Sequence, residues 1–255
     1  MNAVYVADEV RAALDAGRPV VALESTLISH GLPRPRNLQA ARQLEAVVRA
    51  GGAVPATVGV IGGRPSVGLS ADELELLATT AEVRKCSRRD LPVAMARGEH
   101  GATTVAGTLA LMGLVGLRVL ATGGLGGVHR GAEETFDVSA DLPELVRTPA
   151  VVVCAGAKAL LDLPRTVEVL ETLGVPVLGW RTDELPAFYA GRSGLPVVAR
   201  VEGADEVAAI ARAAWASGLA RGLLLGVPPP PESTVDADEL ERAVASAFEA
   251  AKRAG

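Results

Sequence analysis

The chain has 255 residues, of which 49% are hydrophobic but only 3% aromatic, so its core must be packed mainly from Ala, Val and Leu. Its formal net charge of −5 argues against a nucleic acid as the main partner, because binding to a phosphate backbone requires a basic face. The length fits one sizeable domain, and the sequence contains no run of about 18 apolar residues that would predict a membrane span.

The two cysteines indicate a reducing compartment. Cys86 and Cys154 are far apart and belong to no CxxC or Cys/His pattern, so neither a zinc site nor a disulfide is expected. The N-terminal residues carry acids early and lack the pattern of a signal peptide. We therefore expect a cytoplasmic protein with neither a membrane nor a nucleic acid as partner.

Helical periodicity alternates along the chain with short apolar runs that Gly or Pro bounds. The periodic segments, predicted to be helices, are 6–15, 37–49, 71–80, 104–114, 165–173, 204–217 and 237–253. The apolar runs, predicted to be strands, are 19–26, 53–63, 117–124, 149–156, 175–180, 195–201 and 222–227. The runs are hydrophobic on both faces, so helices should cover both sides of their sheet. This pattern predicts a three-layer α/β/α sandwich with a mostly parallel central sheet, as one domain over residues 1–255.

Ligands of such sheets bind beyond the carboxyl ends of the strands, and Glu24 is the first polar residue at such an end. It follows the apolar run Val20–Leu23. Partial burial there would raise the pKa of a carboxyl group towards general-acid use. The alternative is a structural carboxylate that caps neighbouring amides.

A basic cluster precedes a helix start in the middle of the chain. Lys85, Arg88 and Arg89 are followed by the segment Gly101–Thr104, which opens the predicted helix from residue 104. Free N–H groups at a helix start, together with hydroxyl caps and cations, favour a phosphate. Surface salt bridges and an ordinary N-cap explain the same residues equally well.

The run 122–127, "TGGLGG", allows a close approach of backbone to a ligand. Asp137 and Asp141 follow it and could hold Mg²⁺ or Mn²⁺, cations that keep several waters. The alternative is that Ser139 or Asp141 caps the helix that starts at Leu142.

Lys158 lies just past the apolar run 149–156. A lysine that is desolvated, or placed near another cation such as Lys85, can attack a carbonyl as the neutral amine. The alternative is an ordinary solvated lysine at a strand-to-helix turn.

Taken together, these segments resemble the signature blocks of the pseudouridine-5'-phosphate glycosidase family. The resemblance runs from about Val20 to Val227, with the blocks in family order. The blocks are "ALESTLISHGLPRPRN", "KCSRRDLP", "GATTVAGT", "ATGGLGGVHRGAEETFDVSADL", "VVCAGAK", "DLPRTVEVLETLGVPVLGW" and "TDELPAFY…RSGL".

The resemblance implies reversible cleavage of the C–C glycosidic bond of pseudouridine 5'-phosphate to uracil and ribose 5-phosphate. It also implies an α/β/α fold, one Mn²⁺ per subunit and a homotrimer. Glu24 matches the proton donor of the family, Lys158 its nucleophile and Asp137 its metal-associated aspartate. The residues that match substrate-binding positions are Lys85, Val105, Ser139, Ala140 and Asp141.

Two other functions fit the same residues. One is a related C-glycosynthase that joins ribose 5-phosphate to another carbon nucleophile, such as an aromatic polyketide. The other is a phosphosugar-binding protein with little turnover, although binding alone does not need an imine-forming lysine.

The sequence departs from the family pattern on the C-terminal side. Family members carry a further helical segment that ends in Asn-Asn-Ala, which the printed sequence does not contain, and "GLLLGVPPPPE" at 222–232 replaces their Ala-Asn-Pro-Ile-Pro. The expectations are an altered base or sugar pocket with changed activity, or completion of the pocket by another subunit or by local repacking.

Overall fold

The computed structural model describes residues 4–254, which divide into two compact units. The first unit ends at Ala121 and the second begins at Thr122. Among the described helices, none combines the length and the apolar character needed to cross a membrane.

The first unit alternates strands and helices. Its elements are β1 (Tyr5–Val6), α1 (Asp8–Asp15), β2 (Val20–Leu23), a π-helical turn (Leu27–Gly31), α2 (Arg36–Ala50), β3 (Val54–Ile61), β4 (Arg64–Val67), α3 (Ala71–Thr79), β5 (Arg84–Cys86), α4 (Leu91–Arg97), β6 (Gly101–Thr103), α5 (Val105–Leu114) and β7 (Val119–Ala121).

Strand β3 joins the parallel and antiparallel parts of this sheet. Its first half, Val54–Thr57, pairs in parallel with β2, which also pairs in parallel with β7. Its second half, from Val58, pairs antiparallel with β4 and with β6. The β3–β4 hairpin turns at Gly62 and Gly63, both with positive φ, which suits a tight hairpin turn. Strands β1 and β4, and β5 and β6, pair in parallel.

Local sequence and packing explain how the helices of the first unit are placed. Ser70 and Glu73 form a reciprocal capping box at the start of α3, which satisfies two of the free helix amides. An apolar cluster that includes Ile28, Leu74 and Leu77 packs α3 against the π-helical turn. Burial of these side chains stabilises the segment that follows β2.

Four strands of the second unit pair in parallel. Its elements are β8 (Val128–His129), α6 (Ala132–Thr135), α7 (Asp141–Leu145), β9 (Val151–Cys154), β10 (Leu161–Asp162), α8 (Leu163–Thr172), β11 (Val177–Trp180), β12 (Ala199–Val201), α9 (Ala204–Ser217), β13 (Leu223–Gly226), a 3₁₀ turn (Pro231–Ser233) and α10 (Ala237–Ala254).

The strands β9, β13, β11 and β12 lie side by side in that order, and each neighbouring pair is parallel. Strands β8 and β10 form a separate antiparallel pair. Val151, Leu178, Val207 and Leu223 belong to one apolar cluster that packs α9 onto this sheet. Asp162 accepts the amide of Arg165 and caps α8, so the turn after β10 is fixed by a side chain.

The predicted fold class, α/β/α with a mostly parallel sheet, is confirmed. The predicted helices all form, and each predicted strand run contains a strand. The run 53–63 was predicted as one strand, whereas the structure ends β3 at Ile61 and turns it into the antiparallel strand β4. Whether 1–255 is a single domain stays a prediction.

Candidate functional site

Glu24 lies directly after β2 and is half-buried. Two donors bind the same oxygen of its carboxyl group. The hydroxyl of Thr26 donates to Oε2, and the backbone N–H of Leu27 donates to Oε2 at 3.1 Å. Thr26, which precedes the π-helical turn, and Leu27, its first residue, therefore hold the Glu24 carboxyl group.

The π-helical turn is itself tied to its surroundings. The amide of Leu32 bonds to the carbonyl of Leu27, five residues earlier, at 3.2 Å. The buried side chain of Asn37 donates to the carbonyls of Ile28, at 2.8 Å, and Ala78, at 3.0 Å. Such wide turns occur often at functional sites, and here the turn sets the direction in which the chain leaves β2.

A buried hydroxyl network joins the ends of β2 and β6 to the middle of β3. Ser25 Oγ donates to the Val58 carbonyl at 2.6 Å and accepts the Thr103 amide proton at 2.8 Å. Thr103 Oγ1 donates to the same carbonyl at 2.7 Å. Each hydroxyl has one proton, so Thr108 is the donor in its 2.9 Å bond with Thr103 Oγ1. The network fixes Ser25, the residue after Glu24, and Thr103, the residue before the cap of α5. It thereby holds the backbone at Glu24 and at the start of α5 in place.

Lys85 and Val105 lie at the junction of β5 and α5. Lys85 is exposed, and the carbonyl of its neighbour Cys86 accepts the Thr104 amide at 2.9 Å. Thr104 caps α5 by accepting the Gly107 amide at 3.2 Å. A Cβ on Gly107 would lie 2.3 Å from the Cys86 carbonyl oxygen, so only glycine lets the helix start approach β5 this closely. The helix start and Lys85 are thereby brought together, as an anion site requires.

The charge of Lys85 also reaches the π-helical turn. Partial burial and the Lys85 ammonium both lower the pKa of His30. Two arginines close to Lys85 in the chain form salt bridges instead. Arg84 pairs with Glu99 and lowers the pKa of that carboxyl group, and Arg89 lies 3.9 Å from Asp90. Lys85 thus provides an exposed cation near the turn that holds Glu24.

In the second unit, the glycine-rich run holds the backbone of Lys158. The Lys158 amide donates to the Leu125 carbonyl at 3.0 Å, and the Leu125 amide donates to the Gly156 carbonyl at 3.0 Å. Residues 124–127 are buried, whereas the Lys158 side chain is exposed. The location past β9 agrees with the sequence prediction, but the expected desolvation of the amine is not observed.

Phe188 lies beside Lys158 and was missed by the sequence reasoning. A Cβ on Gly124 would lie 2.4 Å from the Phe188 ring and 3.3 Å from Lys158 Cγ. Phe188 has φ +64°, a left-handed conformation that is uncommon for a bulky residue, and its ring contacts that of Tyr189 edge-on at 4.5 Å. The available signal was an adjacent aromatic pair in a chain poor in aromatics.

Ser139 and Asp141 lie against Gly126 of the glycine-rich run, and Ala140 lies between them in the chain. Asp141 is 5% exposed, and its Oδ2 accepts the Gly126 amide at 2.9 Å. Ser139 Oγ accepts the Asp141 amide at 3.2 Å, while Ala140 takes the N-cap position of α7. Neither Ser139 nor Asp141 occupies the N-cap of α7. Ser139 accepts the amide of the first helical residue from one position before the N-cap, and Asp141 holds the glycine-rich run.

Asp137, unlike the buried Asp141, has an exposed side chain. Its side chain is 63% exposed and lies 3.8 Å from His129 Nδ1, measured from Oδ2. Within residues 4–254, no cluster of three His, Cys, Asp or Glu side chains could hold a metal. This donor set does not suit a cage of protein ligands, but one exposed carboxylate fits a Mg²⁺ or Mn²⁺ ion that keeps most of its waters.

A family model described as "Indigoidine synthase A like protein" matches residues 9–255. The chain belongs to this family. Its curated relatives bear the name that the sequence resemblance predicted: pseudouridine-5'-phosphate glycosidase. The relative from Caldanaerobacter subterraneus subsp. tengcongensis is 54% identical over 251 residues, which cover 98% of this chain and 82% of the relative. The relative from Roseiflexus sp. (strain RS-1) is 59% identical over 236 residues, with 91% and 75% covered.

Solved structures of the family share the fold. The prealnumycin C-glycosynthase AlnA, crystallised with ribulose 5-phosphate, matches with a TM-score of 0.93 and 41% identity, covering 100% of this chain and 83% of AlnA. An indigoidine synthase A-like protein from Thermotoga maritima matches with a TM-score of 0.87 and 36% identity, covering 95% of this chain and 79% of that protein.

Proposed function

We propose that the chain is a pseudouridine-5'-phosphate glycosidase, a lyase-type enzyme that reversibly cleaves the C–C bond between uracil and ribose 5-phosphate. The observation that carries this proposal is the 54% identity over 98% of the chain to a relative of that name. Lys158, whose backbone the glycine-rich run holds just past β9, is the amine that this chemistry would use.

A lysine suits this reaction because a C-glycoside lacks the heteroatom leaving group that paired carboxylates expel in ordinary glycosidases. The neutral Lys158 amine attacks C1' as the bond from C1' to the ring oxygen breaks, and the amine proton passes to that oxygen. When C5 of uracil is protonated, the C1'–C5 bond breaks and the lone pair of the nitrogen, which keeps its remaining N–H proton, forms a protonated imine with C1'. Water then adds to the imine and releases ribose 5-phosphate and the free lysine.

Glu24 is the proposed donor of the proton to uracil C5. Lys85 and the backbone at Val105 are proposed to anchor the 5'-phosphate, supported by their common location at the start of α5. Ser139, Ala140 and Asp141, at the start of α7, are proposed to contact the substrate. Anchoring the phosphate would hold C1' in place for attack. These roles follow from the family resemblance.

Asp137 is the proposed ligand of one Mn²⁺ per subunit, with waters as the other ligands. When bound, the cation would supply Lewis-acid polarisation of a substrate oxygen. Asp137 itself contributes an exposed carboxylate 3.8 Å from His129 Nδ1.

A second activity, C-glycoside synthesis with another carbon nucleophile, is supported by the similarity to AlnA at a TM-score of 0.93. The same lysine, acid and phosphate anchor serve both directions. We expect uracil to be a better acceptor than an aromatic polyketide, because the curated relatives are named as glycosidases.

We also propose a homotrimer in the cytoplasm. The trimer rests on the family resemblance, and the location on the two free cysteines. Light scattering after gel filtration measures the assembly directly; a monomer or dimer mass would contradict the trimer.

The activity is tested by incubating pseudouridine 5'-phosphate with the protein, with Mn²⁺ or with EDTA, and following uracil release. Borohydride reduction in the presence of ribose 5-phosphate should trap an adduct on Lys158, seen by mass spectrometry and lost in Lys158→Ala. Survival of the substrate in the presence of Mn²⁺, together with measurable phosphosugar binding, would instead support a binding protein. An adduct on another residue would contradict the role of Lys158.

A further inference from the structure

The hydroxyl of Thr26 lies between two acceptors. It donates to Glu24 Oε2, and the carbonyl oxygen of Thr103 is 3.1 Å away on its other side. A threonine hydroxyl has one proton to donate, so it can serve only one of the two acceptors fully at a time.

The two acceptors do not depend on Thr26 equally. The Thr103 carbonyl already accepts the Ser25 amide at 3.2 Å, so it is satisfied without the Thr26 hydroxyl. Glu24 Oε2 also accepts the Leu27 amide, but its demand for donors changes with its charge, because hydrogen bonds to an ionised carboxylate are about twice as strong as those to a neutral group.

This difference decides which of the two acceptors the Thr26 hydroxyl serves before and after Glu24 loses its proton. While Glu24 is protonated, the Thr26 proton can be shared with Thr103. As Glu24 gives up its proton, negative charge develops on its carboxyl group. The hydrogen bond that the Thr26 hydroxyl donates to Oε2 therefore becomes stronger during the step. An interaction that is stronger in the transition state than in the ground state accelerates the reaction.

We propose that Thr26 is a positioning residue for the acid: it orients the Glu24 carboxyl group through Oε2 and stabilises the carboxylate that forms when Glu24 donates its proton. The proposal rests on the function proposed above only for the identity of the proton acceptor. The geometry that supports it is confined to the end of β2, the first residues of the π-helical turn and the end of β6.

Three variants test it. Thr26→Val keeps the shape and removes the hydroxyl, and it leaves the Thr103 carbonyl paired. Thr26→Ser restores the hydroxyl. Ser29→Ala is the matched control, because Ser29 lies on the same π-helical turn but donates to the Leu77 carbonyl, at 2.9 Å.

We expect Thr26→Val to lower kcat for uracil release by about 10- to 100-fold, the range for a lost hydrogen bond to a charged group, with KM little changed. The alkaline limb of its kcat–pH profile should move up by about one pH unit, since a carboxylate with one donor fewer forms less readily. Thr26→Ser and Ser29→Ala should stay near the wild type. A Thr26→Val enzyme with wild-type kcat and limb, or a Thr26→Ser enzyme as impaired as Thr26→Val, would overturn the proposal.

A readout without turnover separates this proposal from the function itself. Infrared difference spectra recorded against pH report the Glu24 carboxyl band, identified by its loss in Glu24→Gln. Its midpoint should lie higher in Thr26→Val than in the wild type and Thr26→Ser. If uracil is never released but the midpoint shifts, the proposed function fails while the role of Thr26 stands; an unchanged midpoint overturns the role whatever the activity.

Discussion

Gly124 and Gly126 occupy positions where a side chain has no room. A Cβ on Gly124 would meet the Phe188 ring, and one on Gly126 would lie 2.3 Å from Ser139 Oγ and 2.8 Å from Asp141 Oδ2. Gly124 and Gly126 are therefore required by contact with Phe188, Ser139 and Asp141. A single methyl group here would displace the residues that surround Lys158 and Asp141.

Gly126→Ala tests this requirement. We expect the added methyl to displace Ser139 and Asp141, to lower kcat/KM by about tenfold or more, and to destabilise the protein by about 1–3 kcal/mol, as overpacking usually does. Uracil release and urea unfolding measure the two effects. Gly203→Ala is the control, because a Cβ there meets nothing within 4 Å and its φ is −155°; equal losses in both variants would contradict the contact argument.

Glu45 gives a pH-dependent prediction. The half-buried carboxyl group accepts the Thr57 hydroxyl at 2.6 Å, and burial raises its pKa above the ordinary value. The folded state thus binds this proton more tightly than the unfolded chain. The resulting stability is fully present below the unfolded pKa and is lost as the pH rises through the raised folded value.

Glu45→Gln removes the charge and keeps an acceptor for Thr57. We therefore expect the variant to be more stable than the wild type at pH 7.5, with the difference shrinking towards pH 4. Urea unfolding at both pH values measures it. Glu99→Gln should behave in the opposite way, since Arg84 lowers the pKa of Glu99; a stability difference for Glu45→Gln that does not change with pH would contradict the burial argument.

At the scale of elements, Arg130 connects helix α10 to the segment that carries Asp137. Its guanidinium pairs with both carboxylate oxygens of Glu241 at 2.7 Å and lies 5.8 Å from the centre of the Phe248 ring. The pair raises the pKa of Arg130 and lowers that of Glu241. A fork-shaped pair fixes direction as well as distance.

Glu241→Ala should loosen α10 without unfolding the chain. The pair is partly exposed, so we expect a local loss of about 1 kcal/mol or less, seen as faster hydrogen exchange over residues 237–254. Glu239→Ala, two residues earlier on the exposed surface, is the control. Unchanged exchange in Glu241→Ala would show that the pair does not hold the helix.

Most elements could be predicted from the sequence because apolar periodicity reports burial directly. The β3–β4 hairpin was missed although Gly62 and Gly63 carry the turn signal, since the apolar run continues up to them. The π-helical turn could not be predicted, because it depends on the side chain of Asn37, which donates to the carbonyls of Ile28 and Ala78. Local pattern fixes where elements lie, and such long-range hydrogen bonds decide their exact form.

The candidate site shows the same division across the whole molecule. Glu24 and Lys158 were predicted as strand-end residues, and each follows its strand as expected. The partners Thr26 and Phe188 were not predicted, because a hydroxyl two residues from a carboxylate and an aromatic beside a glycine acquire meaning only from three-dimensional contact. Residue type suggested the chemistry, and packing supplied the residues that orient it.

The two cysteines report on global stability. Cys86 and Cys154 are buried, and burial raises the pKa of each thiol to about 11. At pH 8 only about 0.1% of such thiols are ionised, so we expect both to react with a disulfide reagent about 100-fold or more slowly than free cysteine. Both should react fully in denaturant. A fast reaction of one thiol in the native protein would reveal local opening around it.

Helix α5 is buried at eight successive positions, from Val105 to Met112, so it lacks the polar stripe that most helices present to water. Most substitutions in such a segment destabilise the protein, because larger side chains collide with their neighbours and charged ones lose their hydration. The helix whose first turn is proposed to bind the phosphate therefore tolerates few substitutions along its buried length, so a change of substrate specificity is easier to accommodate outside it.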